Sequence, residues 1–171
     1  MIGSLYSRTG LIVAEESHPL ATPSLWIGTS DELGIFKFNC LIGSTNVNDD
    51  ITDEIICETL IHNPTTLDDQ DDSFDQVKFS SFYVGPKSDS CPLILWPHGG
   101  PHAVTLKDFK NDLVFWLKLG FGILLPNYRG SLGNGQKGVF ALTKHSGDFD
   151  VKDCYQALEE CLQKYPNIGW F

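Results

Sequence analysis

Short apolar runs separated by Pro, Gly and Ser occupy the first quarter of the chain. Three of them, at residues 11–14, 24–27 and 34–38, follow one another at a spacing of roughly ten residues. Short strands at this spacing are typical of an antiparallel meander, as in a propeller blade or a β-sandwich. The pattern therefore predicts a small antiparallel sheet, which is too short to bury much surface by itself.

A different pattern marks the second half of the chain. Residues 92–96 and 121–125 are continuous apolar runs without alternation, as expected of parallel strands that are covered on both faces. Between them, residues 106–119 place apolar side chains at helical spacing, which predicts the crossover helix of a right-handed β-α-β unit. Runs at 54–61 and 77–84 predict two further strands that precede this unit.

The clearest helical pattern lies near the C-terminus and ends before Pro166. Asp148 or Asp150 is the predicted N-cap, and for these two residues and Asp153 the simplest role is capping and interaction with the helix dipole. The predicted buried face consists of Val151, Cys154, Tyr155, Leu158, Cys161, Leu162 and Tyr165.

Composition and charge narrow the class of protein. The chain has 171 residues, of which 42% are hydrophobic and 20% charged, as in one soluble globular domain or pieces of two. Its net charge of −10, with twelve scattered basic residues, argues against nucleic-acid binding. Neither a signal peptide nor a membrane-spanning apolar window is evident, so a cytoplasmic location is predicted.

Cysteines and acidic residues indicate no metal site. The five cysteines form no C-x-x-C pair and are odd in number, which favours neither zinc nor a disulfide framework. An acidic stretch within residues 62–76 fails as a calcium loop, because Phe74 stands where glycine is needed and Ser80 where glutamate is needed. This stretch is predicted to be a solvated acidic loop.

Residues that could take part in catalysis follow the first buried strand. His98, Gly99, Gly100 and Pro101 form a glycine-rich turn, and glycines let the main chain approach a substrate closely. A plain tight turn is the alternative explanation. The position after a buried strand and before a crossover helix favours a turn that supplies a backbone N–H to an oxyanion hole.

Two other interpretations of this region fail. His98 and His102 are four residues apart, like zinc ligands on a helix, but the Gly-Gly-Pro between them cannot form that helix. Ser131 lacks the G-x-S-x-G pattern of a nucleophile elbow, because Arg129 stands at the first glycine position. No serine in the chain meets that pattern. Neither a metal ligand nor a nucleophile is therefore predicted, and His98 is expected to orient the turn by hydrogen bonding.

Taken together, the segments 98–102, 127–131, 133–136 and 150–153 resemble the acylaminoacyl-peptidase branch of the prolyl oligopeptidase family of serine peptidases. The resemblance is strong over residues 90–165 and weaker before them. It implies an α/β fold in which residues 46–171 form the N-terminal half of an α/β-hydrolase sheet. Residues 1–45 would then be a partial β-propeller blade.

The resemblance also implies a function. Members of this family act in the cytosol without a cofactor and release an N-acylated amino acid from peptides with a blocked N-terminus. Residue by residue, the resemblance assigns Gly99 and Gly100 to the oxyanion hole and His98 and Pro101 to its support. It also assigns a substrate-cleft loop, which consists of Tyr128, Arg129 and Gly130. No Ser, Asp or His of the triad can be assigned, since the family's nucleophile follows the next strand. The chain by itself is therefore expected to be inactive.

Two alternatives stay open. One is a non-catalytic module that binds the full-length enzyme, another partner or a second copy through an unfinished sheet edge. The other is a fragment of a carboxylesterase or lipase relative, which shares a His-Gly-Gly turn but is disfavoured by residues 128–131. An unfinished sheet also predicts marginal stability, because its apolar strands lose neighbours.

Overall fold

The computed structural model describes residues 2–8, 11–30, 35–46, 55–64, 76–86 and 90–169. The chain divides into two compact units, one of residues 1–53 and 107–115 and the other of residues 54–106 and 116–171. Most of the predicted acidic loop lies outside the described residues. Over the described ranges, no helix has the length and apolar character needed to cross a bilayer.

A four-stranded antiparallel sheet in the order β1-β2-β3-β4 forms the first unit. Its strands are β1 (Ile2–Arg8), β2 (Leu11–His18), β3 (Ala21–Ser30) and β4 (Phe36–Ile42). The predicted antiparallel segment is confirmed, but the prediction of three strands was wrong. The strand β1 was missed because a register shift between Ile2 and Ser4 interrupts the alternation of apolar and polar positions.

One edge of this sheet, strand β4, is exposed along its whole length. It pairs with β3 on one side, and the ring of Phe38 lies so close to Gly28 that a Cβ there would come within 2.7 Å of a ring atom. The exposed large apolar side chains in and beside this strand are Ile35, Phe36, Phe38, Leu41 and Ile42.

A five-stranded mixed sheet in the order β5-β6-β8-β7-β9 forms the second unit. Its strands are β5 (Ile55–His62), β6 (Phe79–Pro86), β7 (Cys91–Leu95), β8 (Gly122–Asn127) and β9 (Ile168–Gly169). The pairs β5-β6 and β6-β8 are antiparallel, whereas β8-β7 and β7-β9 are parallel. The predicted parallel pairing of the two continuous apolar runs is thereby confirmed. Strand β8 is buried throughout, and β7 is mostly half-buried.

The described residues contain three helices, α1 (Asn111–Lys118), α2 (Gly135–Phe140) and α3 (Phe149–Lys164). Helix α1 is the predicted crossover between β7 and β8, but it begins at Asn111 rather than at residue 106. One reason is that the backbone N–H of Phe109 donates to the Ser17 hydroxyl at 2.9 Å, so this amide is bonded outside a helix.

Most of the predicted face of helix α3 is confirmed, because Cys154, Leu158 and Cys161 are buried and Leu162 and Tyr165 pack against the core. Val151 and Tyr155, predicted to be buried, are 46% and 62% exposed, whereas Asp153 and Ala157 are buried. Together with Ala157, the core cluster between helix and sheet contains Phe79, Tyr83, Leu124, Leu158 and Cys161.

The predicted capping at the start of α3 is also different in detail. Asp148 occupies the N-cap position, but its side chain makes no capping hydrogen bond. Asp150 instead reaches back and accepts a hydrogen bond from the Gly147 N–H at 2.7 Å. A carboxylate in the first turn still interacts favourably with the positive end of the helix dipole.

Candidate active site

The two segments singled out by the sequence leave neighbouring parallel strands at the same edge of the sheet. His98 follows β7 and Tyr128 follows β8, so both lie at the carboxyl edge where α/β folds bind ligands. The pairing continues past β7, because the Trp96 N–H donates to the Leu124 carbonyl at 2.8 Å. The structure therefore brings the glycine-rich turn and residues 128–131 together.

His98 is held by both segments. Its Nδ1 lies 2.9 Å from the Gly99 carbonyl oxygen, and its Nε2 lies 2.8 Å from the Ser131 hydroxyl. A carbonyl can only accept, so Nδ1 carries the proton, and Nε2 of the neutral ring accepts from Ser131. The Tyr128 ring stacks on the His98 ring at 4.6 Å, and its hydroxyl donates to the His98 carbonyl at 2.8 Å.

The two glycines of the turn differ in what their positions allow. Gly100 has φ +147°, and a Cβ there would lie 3.0 Å from the His102 nitrogen, so the backbone requires glycine. At Gly99 nothing lies within 4 Å of an added Cβ, so the position is open. Within the ranges that the structure describes, neither amide donates a hydrogen bond. The turn thus presents two exposed backbone donors.

A second histidine fixes the loop after β8. His102 Nδ1 donates to the Gly130 carbonyl at 3.0 Å, and the Gly130 N–H donates to Gly138 at 2.9 Å. Gly130 has φ +104°, and an added Cβ would lie 2.7 Å from a Leu142 methyl, so a side chain does not fit there. Both histidines of the turn therefore have protein partners on this loop.

Arg129 and Asp153 form a buried ion pair between the loop and helix α3. The Asp153 carboxylate accepts from the Arg129 Nη2 at 2.7 Å, from its Nε at 3.0 and 3.1 Å, and from its backbone N–H at 2.8 Å. The side chains are only 4% and 1% exposed. Burial raises the pKa of Asp153, and the hydrogen bonds from Arg129 oppose that shift.

This pair corrects one expectation from the sequence. Asp153 binds Arg129 rather than capping the helix, and this contact turns the Asp153 face of α3 toward the sheet. Within the predicted substrate-cleft loop, the Arg129 side chain is buried and points its guanidinium at Asp153 and over the Phe149 ring, with Cζ 4.0 Å from the ring centroid. The His145 ring stacks on Phe149 at 4.2 Å, and two groups so close to one centroid must lie on opposite faces of the ring.

A largely apolar cavity of about 340 Å³ opens beside His98 and the start of α3. Helix α3 contributes the exposed side chains Val151 and Tyr155 to its wall, which explains why these residues do not belong to the core. The lining residues are Leu95, Pro97, His98, Tyr128, Asp150, Val151, Cys154 and Tyr155.

Cys154, in this lining, is expected to resist alkylation. Burial raises the pKa of the Cys154 and Cys161 thiols to about 12, so at pH 8 only about one thiol in 10⁴ is ionised. Cys40 is exposed. Iodoacetamide at pH 8, followed by peptide mass spectrometry, should label Cys40 in the native protein and the other two only in denaturant. Equal native labelling of Cys40 and Cys154 would contradict the structure.

A second serine–histidine contact, which the sequence did not reveal, lies between β5, β6 and α3. His62 Nε2 is 2.7 Å from the Ser81 hydroxyl, and its Nδ1 is 2.7 Å from a Glu160 carboxylate oxygen. The connectivity is that of a Ser–His–acid triad. However, Ser81 and His62 are fully buried, and the His62 ring stacks on Phe79 at 4.7 Å. A nucleophile must reach a substrate, so this is a hydrogen-bond network of the core.

Comparisons with known proteins find several similar enzymes. Acylamino-acid-releasing enzyme from mouse (Mus musculus) is 30% identical over 158 residues, which is 90% of this chain and 21% of the mouse enzyme. The enzyme from pig (Sus scrofa) is 39% identical over 79 residues, 46% of this chain and 11% of the enzyme. This chain is a relative of the acylamino-acid-releasing enzymes. It spans about a fifth or less of the length of these relatives.

Solved structures with a similar fold align with nearly the whole of this chain. A structure of puromycin hydrolase aligns with a TM-score of 0.69 at 19% identity and covers 94% of this chain and 24% of that protein. A prolyl endopeptidase structure aligns with a TM-score of 0.73 at 15% identity, over 96% and 24%. The chain has the mixed α/β fold of a fragment of the propeller and α/β-hydrolase peptidases. A comparison with models of protein families finds no match.

Sequence reasoning missed three residues of this site. Ser131 was weighed only as a nucleophile, Asp153 only as a capping residue, and His102 only as a metal ligand. Each instead holds the loop or the turn in place. For Asp153 the pattern did contain a clue, since this acidic residue lies four residues before Ala157 and eight before Cys161, on the apolar stripe.

Proposed function

We propose that this chain supplies the oxyanion side of the acyl-transfer site of a serine peptidase that releases N-acylated amino acids from peptides with blocked N-termini. The observation that carries the proposal is the turn at Gly99 and Gly100. The turn follows β7, which is the third strand of the mixed sheet in chain order. Its two glycine amides donate no hydrogen bond within the described residues. In α/β-hydrolases this loop provides one oxyanion donor. The relatives are acylamino-acid-releasing enzymes, and this name gives an acylated amino acid as the product.

The chemistry follows from where negative charge develops. When a serine attacks an amide carbonyl, the carbonyl oxygen gains charge in the transition state, and a fixed N–H aimed at it lowers the barrier. Gly99 or Gly100 would donate this hydrogen bond, in a turn supported by His98 and Pro101. No cofactor is needed for such a reaction, and a cytoplasmic location belongs to the same proposal.

The triad is assigned to none of the residues of this chain. The hydroxyl of Ser131 is fully buried and bonded to His98, so it does not serve as the nucleophile. The Nε2 of His98 is bonded to this buried hydroxyl, so it does not face a substrate as a catalytic base. The proposed arrangement places residues 1–45 in a partial propeller blade and residues 46–171 in the first half of the hydrolase domain.

A covalent probe and a substrate assay test the proposal. The 171-residue chain should not react with a fluorophosphonate probe, whereas any longer form of the protein that carries a nucleophilic serine should react and should hydrolyse N-acetyl-alanine p-nitroanilide. Labelling of the 171-residue chain would refute the assignment of no triad member. A preference of the longer protein for short acyl esters would favour the carboxylesterase alternative.

The second candidate is a non-catalytic binding module, and the exposed apolar strand β4 favours it. An edge strand with unpaired backbone groups and apolar side chains is a template for another chain. Sedimentation velocity distinguishes the two functions, because a module that binds copies of itself should sediment as an oligomer at micromolar concentration. A monodisperse monomer would count against self-association through β4.

A further inference from the structure

The Gly99 and Gly100 amides belong to peptide groups whose carbonyls are both bonded. In a trans peptide the C=O and the following N–H lie in one plane and point in opposite directions. The bonds from His98 to Gly99 and from Gly99 to Gly100 are trans, since the one cis bond within the described ranges is Gly100–Pro101. Fixing either carbonyl therefore fixes the direction of the next amide.

Each carbonyl is bonded by a different side chain. The Tyr128 hydroxyl donates to the His98 carbonyl at 2.8 Å, so the Gly99 N–H must point away from Tyr128. The His98 Nδ1–H donates to the Gly99 carbonyl, so the Gly100 N–H must point away from the imidazole. The second contact needs the proton on Nδ1, and the Ser131 hydroxyl adds to the stability of that tautomer by donating to Nε2.

We propose that Tyr128 and Ser131 are positioning residues that aim the two amides of the turn, Tyr128 through the His98 carbonyl and Ser131 through the His98 ring. Neither residue touches the substrate in this role. The consequence for catalysis rests on the proposed function, because an oxyanion donor is effective only when it is fixed before the reaction. The geometry itself does not depend on that function.

The surroundings of both hydroxyls support a positioning role. Ser131 is fully buried, and Tyr128 is only 6% exposed, so water has limited access to these two hydroxyls. The loop that carries them is anchored from the other side, where Arg129 bonds Asp153 with its backbone N–H and its guanidinium. The Ser131 N–H also donates to the Tyr128 carbonyl at 2.9 Å, which closes the loop into a turn. Tyr128 and Ser131 thus extend toward His98 from a rigid support.

The first test is the imidazole tautomer of His98 in the full chain, read from a long-range ¹H–¹⁵N spectrum at a pH where the ring is neutral. The expected result is a protonated Nδ1 and a bare Nε2. In Ser131→Ala the fraction of His98 with its proton on Nδ1 should fall, because Nε2 loses its hydrogen-bond donor while Nδ1 keeps the Gly99 carbonyl. A wild-type His98 with its proton on Nε2 would overturn the proposal. Ser80→Ala, on the neighbouring strand β6, is the matched control and should leave the tautomer unchanged.

The second test is the ¹⁵N order parameter of the two glycine amides. Both should be near 0.85, typical of rigid backbone, in the wild type. Tyr128→Phe keeps the stacked ring and removes the hydroxyl, so the Gly99 value should fall below about 0.6, whereas in Ser131→Ala the Gly100 value should fall. Tyr155→Phe removes a hydroxyl from a mostly exposed tyrosine and should change neither value.

The outcomes separate this proposal from the proposed function. If both amides keep their wild-type order parameters in Tyr128→Phe and Ser131→Ala while the resonances of β8 and α3 remain in place, the positioning role is refuted. If Ser131→Ala does not fold, Tyr128→Phe alone decides, since it removes one partly buried hydroxyl. Neither measurement uses activity, so a protein without peptidase activity would still give a clear result here.

Discussion

Asp153→Ala is expected to lower the free energy of unfolding by about 3–5 kcal/mol, the range for breaking a buried ion pair by removing one partner. The substitution leaves the Arg129 guanidinium and backbone N–H without the carboxylate that accepts from both, at side chains that are 4% and 1% exposed. Whole domains are stable by only about 5–15 kcal/mol, so this loss is a large fraction of the total. Equilibrium unfolding in urea measures it.

A matched acidic residue on the same helix provides the control. Asp148 also pairs with a cation, Lys152, at 2.8 Å, but both side chains are about half exposed. Asp148→Ala should therefore lower the stability by no more than about 0.5 kcal/mol. Replacing Arg129 by Met and Asp153 by Leu together should restore part of the stability lost in Asp153→Ala, since no unpaired charge remains. Equal losses in Asp148→Ala and Asp153→Ala would contradict the structure.

The sequence predicts the strands of the second unit well because burial acts on every residue of a central strand. In β8 all six residues are buried, and an uninterrupted apolar run is the direct record of that environment. Strand β1 was not predicted, because its partners follow a shifted register and its apolar residues do not alternate. Where one face of an element is buried in a regular register, the pattern is readable, and where the register shifts it is not.

The site was predictable in part. Glycines after a buried strand identify the turn, because the requirement at Gly100 is a local backbone property with φ +147°. The partners that hold the turn are set by tertiary structure, since Ser131 is 33 residues from His98 and Asp153 is 24 residues from Arg129. No local spacing relates such pairs. Local rules also assign Asp153 to capping, which is the default for a carboxylate near a helix start.

Gly99→Pro is expected to reduce kcat by about 10²–10³-fold in a catalytically active form of the protein that contains these residues, because it removes a backbone N–H that we propose as an oxyanion donor. A loss of this size is typical for a single oxyanion donor. The Gly99 amide makes no hydrogen bond among the described residues, so removing it deprives the fold of no internal contact. Steady-state hydrolysis of an N-acetylated amino acid anilide measures the effect.

Gly99→Ala is the matched control, because it keeps the N–H and adds one methyl where nothing lies within 4 Å. Its effect should stay within about tenfold and should appear in KM, since the methyl occupies space near the substrate without removing a transition-state contact. If Gly99→Ala and Gly99→Pro lose kcat equally, the Gly99 amide is not the oxyanion donor. The loss of kcat would then come from filling the open space beside Gly99. If neither loses activity, the donor is the Gly100 amide or lies outside this turn. Unfolding free energies of both variants show whether a loss of kcat comes from local chemistry or from a disturbed turn.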